Sequence, residues 1–142
     1  MERSSSDLPM AVSHQDPGSI EITESILLQY FETLNAGDFQ TTASLFAPEG
    51  ILYPPFEVAI VGREAIAAYL EKEAKGITAL PQEKPTQVTE SDDTEIRVVG
   101  KVQTSLFTVN VAWHFVLNPE TEIVAVRVRL LAALEELLNL KR

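Results

Sequence analysis

Large apolar residues recur at Ile22, Ile26, Leu27, Tyr30, Phe31 and Leu34, in steps of one, three and four that draw one broad stripe on a helix. Upstream, residues 1–18 are rich in Ser, Asp and Pro and poor in large apolar side chains, which predicts a disordered leader with order starting near Ser19. Asn35-Ala36-Gly37 supplies residue types suited to a left-handed helix end. Asp38 then reads as the N-cap of a second, shorter helix with Phe39, Ala43 and Phe46 on one face, stopped by Pro48 and Gly50. A short strand is expected at 51–53, broken by Pro54-Pro55, with 56–61 resuming as an edge strand. After Gly62 a third helix is expected over 63–74, burying Ile66, Tyr69, Leu70 and Ala74, with Gly76 closing it.

From there the period changes to two. Strands are expected at 86–89 and 94–104 around the turn Ser91-Asp92-Asp93, the second with Ile96, Val98, Val102 and Thr104 opposite Arg97, Lys101 and Gln103. A strand at 108–117 puts Val109, Val111, Trp113, Phe115 and Leu117 on one side. Beyond the turn Asn118-Pro119-Glu120, a strand at 123–130 sets Val124, Val126, Val128 and Leu130 against Arg127 and Arg129. A short amphipathic helix at 132–140 is expected to end the chain and to pack its leucines on the sheet. Three helices followed mainly by long antiparallel strands imply an α+β domain whose curved sheet wraps the first helix and leaves a cone-shaped cavity.

Composition narrows what such a cavity could serve. The 142 residues suit one domain, 19–142, behind the leader. Eleven Lys and Arg against 21 Asp and Glu give a net charge of −10, which repels phosphate backbones and anionic lipid surfaces and argues against nucleic acid as a partner. No apolar run reaches the roughly 20 residues of a membrane span, and the first residues carry no signal-peptide pattern. With no cysteine, disulfides and thiolate chemistry are excluded, and a cytoplasmic location is expected.

The inward strand faces carry no ionisable residue. Asp38 is better read as a helix cap than as a base, and Glu57 as a solvated edge residue than as an inward one. His14 lies in the leader, and His114 alternates with Trp113 and so faces away from it. No clustering of His and carboxylates suggests a metal site. Two polar handles remain, Tyr30 on the first helix and Trp113 on the central strand, each an apolar body with one donor at its tip. They are either core residues bonded to backbone carbonyls or donors converging on one carbonyl of a long apolar ligand.

The segment LNAGDFQTTASLFAPEGIL resembles the opening of nuclear transport factor 2-like domains, a fold shared with ketosteroid isomerases and polyketide cyclases. YFETLNAGDF (30–39), YPPFEVAIVG (53–62), GKVQTSLF (100–107), NVAWHFVLNPE (110–120) and LLAALEELLNLKR (130–142) together resemble the C-terminal domain of the orange carotenoid protein family, and more closely its free-standing cyanobacterial homologues. The resemblance implies a three-helix cone that is not an enzyme and that binds a ketocarotenoid, canthaxanthin or echinenone. Tyr30 and Trp113 would hydrogen-bond the ring carbonyl, and Leu34, Ile77, Val102, Thr104, Phe107, Phe115 and Val128 would line the tunnel. It further implies carotenoid carriage to a helical partner domain, singlet-oxygen quenching, a homodimer when pigmented and transient membrane contact for pigment uptake. The stretch Ser105–Asn110 is shorter than its counterpart in the full-length photoprotein, and Leu106 replaces an aromatic residue. Lacking cysteine, this chain cannot use disulfide control. A ketosteroid isomerase-like or dehydratase-like pocket enzyme, with Asp38 or Glu57 as base, and a non-catalytic dimerising adaptor are the alternatives.

Overall fold

The computed structural model describes residues 17–90 and 92–131. The expected helix at 132–140 and the leader up to residue 16 lie outside the described residues. Helix α1 (Pro17–Ala36) starts two residues ahead of the expected onset of order, and α2 (Phe39–Ser44) follows it closely. Gly37, at φ +77°, ends α1: its N–H donates to Leu34 O, and Asp38 N–H reaches back to Thr33 O. Asp38 caps α2, its carboxylate accepting from Thr41 N–H at 3.4 Å. The fully buried Thr42 hydroxyl meets that of Thr33 at 2.6 Å and ties the two helices together.

Seven strands form one curved sheet on whose concave side the helices pack. They are β1 (Phe46–Tyr53), β2 (Ile60–Val61), β3 (Thr78–Pro81), β4 (Thr86–Glu90), β5 (Asp93–Gln103), β6 (Thr108–Leu117) and β7 (Ile123–Leu131), with α3 (Arg63–Glu73) between β2 and β3. The order is β2-β1-β7-β6-β5-β3, with β4 also on β5, and only β1 and β7 pair in parallel. The sheet is thus mainly antiparallel, and the domain is α+β as expected.

Phe46 opens β1 instead of continuing α2. Between Phe46 and Ile51 the pairing to β7 shifts register, so Pro48 sits where no ladder donor is needed. A Cβ on Gly50 would stand 2.9 Å from Ile123 O and 3.0 Å from Phe46 Cβ, so only glycine lets β1 bend this closely. Of the expected edge strand at 56–61 only Ile60–Val61 pairs, because Phe56 takes φ +64° and cannot extend. Strand β3, which the alternation did not reveal, is created by its neighbours: Asn35 Nδ2 donates to Ala79 O at 2.9 Å, and Ala79 N–H donates to Asn35 Oδ1 at 2.7 Å. On its other side β3 pairs with β5 from Thr78↔Gln103 to Pro81↔Gly100.

The core is aromatic. The Phe31 ring meets Trp113 edge-on at 4.9 Å and Tyr30 at 5.3 Å, and Tyr30 meets Phe115 at 5.0 Å, near-perpendicular arrangements that aromatic quadrupoles favour. On β7 the ladder to β6 shifts between Val116 and Leu117, so Ile123 and not the half-buried Val124 joins Val126 and Val128 on the inward face, while Leu130, farther along that face, is 44% exposed. The opposite sheet face aligns Arg97, His114 and Arg127 directly across β5, β6 and β7. Burial lowers the His114 pKa, as do the charges of Arg97 and Arg129, with Glu95 opposing and Arg127 adding to the shift.

Phe115→Ala should lower unfolding free energy in urea by about 3–5 kcal/mol, the usual cost of emptying a buried aromatic site. Phe56→Ala, at a side chain 92% exposed, should change it by less than about 0.5 kcal/mol. A lowered folded pKa means that the unfolded chain takes up the His114 proton first, so this residue's contribution is intact above about pH 6.5 and declines as pH falls. His114→Gln should therefore flatten the acid limb of the stability profile measured by thermal melts, and an unchanged slope would contradict the assignment.

Candidate functional site

Helix α1 and strand β6 cross the cone from opposite sides, and each delivers one aromatic residue with a polar tip. Tyr30 and Trp113, each 2% exposed, line the same cavity of about 130 Å³. Leu34, one turn beyond Tyr30, joins them from α1. Ile77 enters just ahead of β3, Val102 from the end of β5 and Val128 from β7. Trp113 and Val128 pair directly across β6 and β7, which puts both on the concave face.

Three further residues of the expected lining stand elsewhere. Phe115 shares the Trp113 face as alternation requires, but it is fully buried behind Tyr30 and Phe31, forming the wall's backing and not its surface. Thr104 leaves β5 to cap the following turn: its hydroxyl accepts from the N–H groups of Leu106 and Phe107 and donates to Phe107 O at 3.1 Å. That turn holds Phe107 outward, 56% exposed.

The remaining lining comes from segments whose role a stripe or a proline pair only hinted at. Leu52, Pro54 and Pro55 close one side where β1 ends. Helix α3 presents Tyr69, Leu70, Glu73 and Ala74, three of which belong to the stripe expected to be buried, and Ala79 adds a small residue from β3. The i, i+4 spacing of Tyr69 and Glu73 was the available signal that this stripe carries polar atoms into the cavity.

Electrostatically the cavity has two ends. Burial alone pushes the Tyr30 phenol well above its usual range, so it stays a neutral donor at every working pH. Among the described residues, neither Tyr30 Oη nor Trp113 Nε1 has a hydrogen-bond partner. Buried donors are nearly always paired, and the two residues that carry these unpartnered ones line one apolar space. At the mouth, Tyr69 is pushed up to about 12 by burial, then by the charges of Glu57 and Glu73, and by donating its hydroxyl to the Glu57 carboxylate. Glu57 is thus an exposed residue as expected, yet it is engaged at the rim. Asp38 is occupied as a cap and takes no part in the lining.

In ligand-free protein, Tyr30→Phe should leave urea stability unchanged or raise it, since removing an unsatisfied buried hydroxyl relieves a desolvation cost of about 1–3 kcal/mol. A loss of about 1 kcal/mol or more would instead show that the hydroxyl has a protein partner.

The sequence matches the nuclear transport factor 2 (NTF2) domain over residues 22–124. It is 42% identical over 137 residues to an orange carotenoid-binding protein of Limnospira maxima, covering 93% of this chain and 43% of that protein. Against the Synechocystis sp. orange carotenoid-binding protein the identity is 40% over 139 residues, covering 94% and 44%. The structure of the Anabaena (Nostoc) sp. orange carotenoid protein binding canthaxanthin superposes with a TM-score of 0.73 at 40% identity, covering 81% of this chain and 38% of that one. The chain therefore spans less than half the length of these relatives. By family model, sequence and fold together, it belongs to the nuclear transport factor 2 domain family and is a homologue of the C-terminal domain of orange carotenoid-binding proteins.

Proposed function

We propose that this protein is a non-enzymatic ketocarotenoid carrier that holds one ring of the pigment in its cone. The observation that supports this reading is the pair of buried donors, Tyr30 and Trp113, without described partners on one apolar cavity. A conjugated ring carbonyl offers one oxygen with two lone pairs, and two N–H or O–H donors satisfy it fully. A volume of about 130 Å³ suits one substituted ring, well below the roughly 300–1,000 Å³ of pockets that enclose whole drug-sized ligands. The polyene and second ring therefore extend outside, and a second cone is the natural cover for them, giving a pigmented homodimer in which each subunit takes one ring.

Canthaxanthin and echinenone both carry the required carbonyl. The relatives bind carotenoid by name, and one is solved with canthaxanthin, which favours this class over the isomerase or dehydratase reading and over a ligand-free adaptor. Carriage then consists of accepting pigment from a lipid source, in contact with a membrane, and passing it in the cytoplasm to a helical carotenoid-binding domain. Quenching of singlet oxygen follows from the bound polyene itself.

Expression in a canthaxanthin-producing host should yield coloured protein with a red-shifted band, because donors at the carbonyl stabilise the polarised excited state. Tyr30→Phe combined with Trp113→Phe should blue-shift that band or weaken binding by about tenfold or more, the loss of two hydrogen bonds of about 1 kcal/mol each. Colourless protein from a well-pigmented host would overturn carotenoid binding, and an unshifted band in the double variant would overturn the hydrogen-bonding role.

A further inference from the structure

The sheet face behind the cavity is its electrostatic opposite. There the ladder sets Arg97 of β5 directly across from His114 of β6, and His114 directly across from Arg127 of β7. Arg129, two residues along β7, shares that face by alternation, as does Lys101 on β5. Residues opposed in this way stand about 5 Å apart at Cβ, and like charges so placed are destabilising. On these three strands the face carries two carboxylates, Asp93 and Glu95, both on β5 and both to one side of Arg97. Among the described residues the ion pairs are Arg63–Glu122 and Lys75–Glu71, so none of the three arginines is neutralised by a side chain.

The cluster has the donors an oxyanion needs. Arg97, Arg127 and Arg129 are exposed, and His114 is half-buried between them. Each guanidinium presents planar N–H forks that match a tetrahedral oxyanion two bonds at a time. Arg127 is restrained before any ligand arrives, its guanidinium lying 4.1 Å from the centre of the Tyr53 ring. The neighbouring outward residues Val99, Val116 and Ala125 have no polar side chain to compete for these donors. The lowered His114 pKa agrees with this placement, since after burial its causes are Arg97 and Arg129. The overall charge of −10 does not oppose a small ion as it would an extended anionic surface. In contact with guanidinium groups such an ion meets them directly, while distant carboxylates act through solvent that screens charge within about 10 Å.

We propose that this cluster is an oxyanion site: a tetrahedral dianion of the sulfate or phosphate type sits over His114, between Arg97 on one side and Arg127 and Arg129 on the other. The site lies across the sheet from Trp113 and is independent of what the cavity holds.

The test follows the His114 Cε1 proton by NMR in the whole chain while sodium sulfate replaces sodium chloride at fixed ionic strength. Sulfate stays divalent between about pH 5 and 8, so its own charge does not change across the histidine range. The chain has two histidines, and His114→Gln identifies which signal belongs to the site. Sulfate should raise the His114 pKa by about one unit and leave His14 unmoved. By linkage, sulfate then binds the protonated form about tenfold more tightly, so its affinity rises as pH falls. Arg97→Gln and Arg129→Gln should each weaken sulfate binding by about tenfold, the loss of one charge-assisted contact. Lys72→Gln, in the last turn of α3, should change nothing. No shift, a shift that chloride reproduces at the same ionic strength, or one that survives Arg97→Gln combined with Arg129→Gln overturns the proposal.

Discussion

An interior that stays open in a close-packed fold is the constraint on which the rest of this structure depends. Protein cores fill to crystal density, and an unfilled apolar space costs dispersion contacts along its whole lining. Here the space persists because its walls cannot relax inward. Tyr30, Phe31, Trp113 and Phe115 brace one another edge to face, so no ring can tilt into the void without breaking a contact behind it. The two prolines at the end of β1 and the Asn35–Ala79 amide pair fix the lip in the same way, through groups with few conformational alternatives.

What the pattern along the chain made legible was whatever depends on a long, regular period. From Trp113 onward β6 alternates regularly, so the inward set Trp113, Phe115 and Leu117 and the outward turn of His114 could be read directly. Helix α1 was legible for the same reason, and the Tyr30 and Leu34 positions with it. Where a short-range hydrogen bond or a tertiary neighbour decides, the period is silent. Strand β3 exists because Asn35 and β5 flank it, and nothing in Thr-Ala-Leu-Pro declares that. Thr104 continues the alternation of β5 perfectly, yet its hydroxyl finds two N–H groups in the next turn and the strand ends before it. Phe46 continues a helical stripe, but the chain turns at Leu45 and starts a strand. These exceptions explain why the cavity's back wall and its β5–β6 corner differ from the lining expected of the family.

The charge distribution has a similar logic. A net charge of −10 describes the molecule at a distance and disfavours polyanions as general partners. Within a Debye length of about 10 Å, local arrangement takes over. The outward sheet face gathers Arg97, Arg127 and Arg129 around a histidine, while Glu57 and Glu73 stand beside Tyr69 at the cavity mouth. Net charge and local charge here point in opposite directions, and only the folded register of β5, β6 and β7 reveals the second.

The unpartnered donors connect stability to the proposed function. A buried donor without a partner costs about 1–3 kcal/mol, on a total stability of only about 5–15 kcal/mol for a domain. At position 30 a core selected for packing alone would carry Phe, which keeps the ring and drops the hydroxyl. On the proposed reading that cost is recovered when a ligand carbonyl enters, and a ligand that binds the folded state alone adds its own binding free energy to stability. By the same reading, the two side chains that would polarise a bound carbonyl also bias the protein toward being occupied.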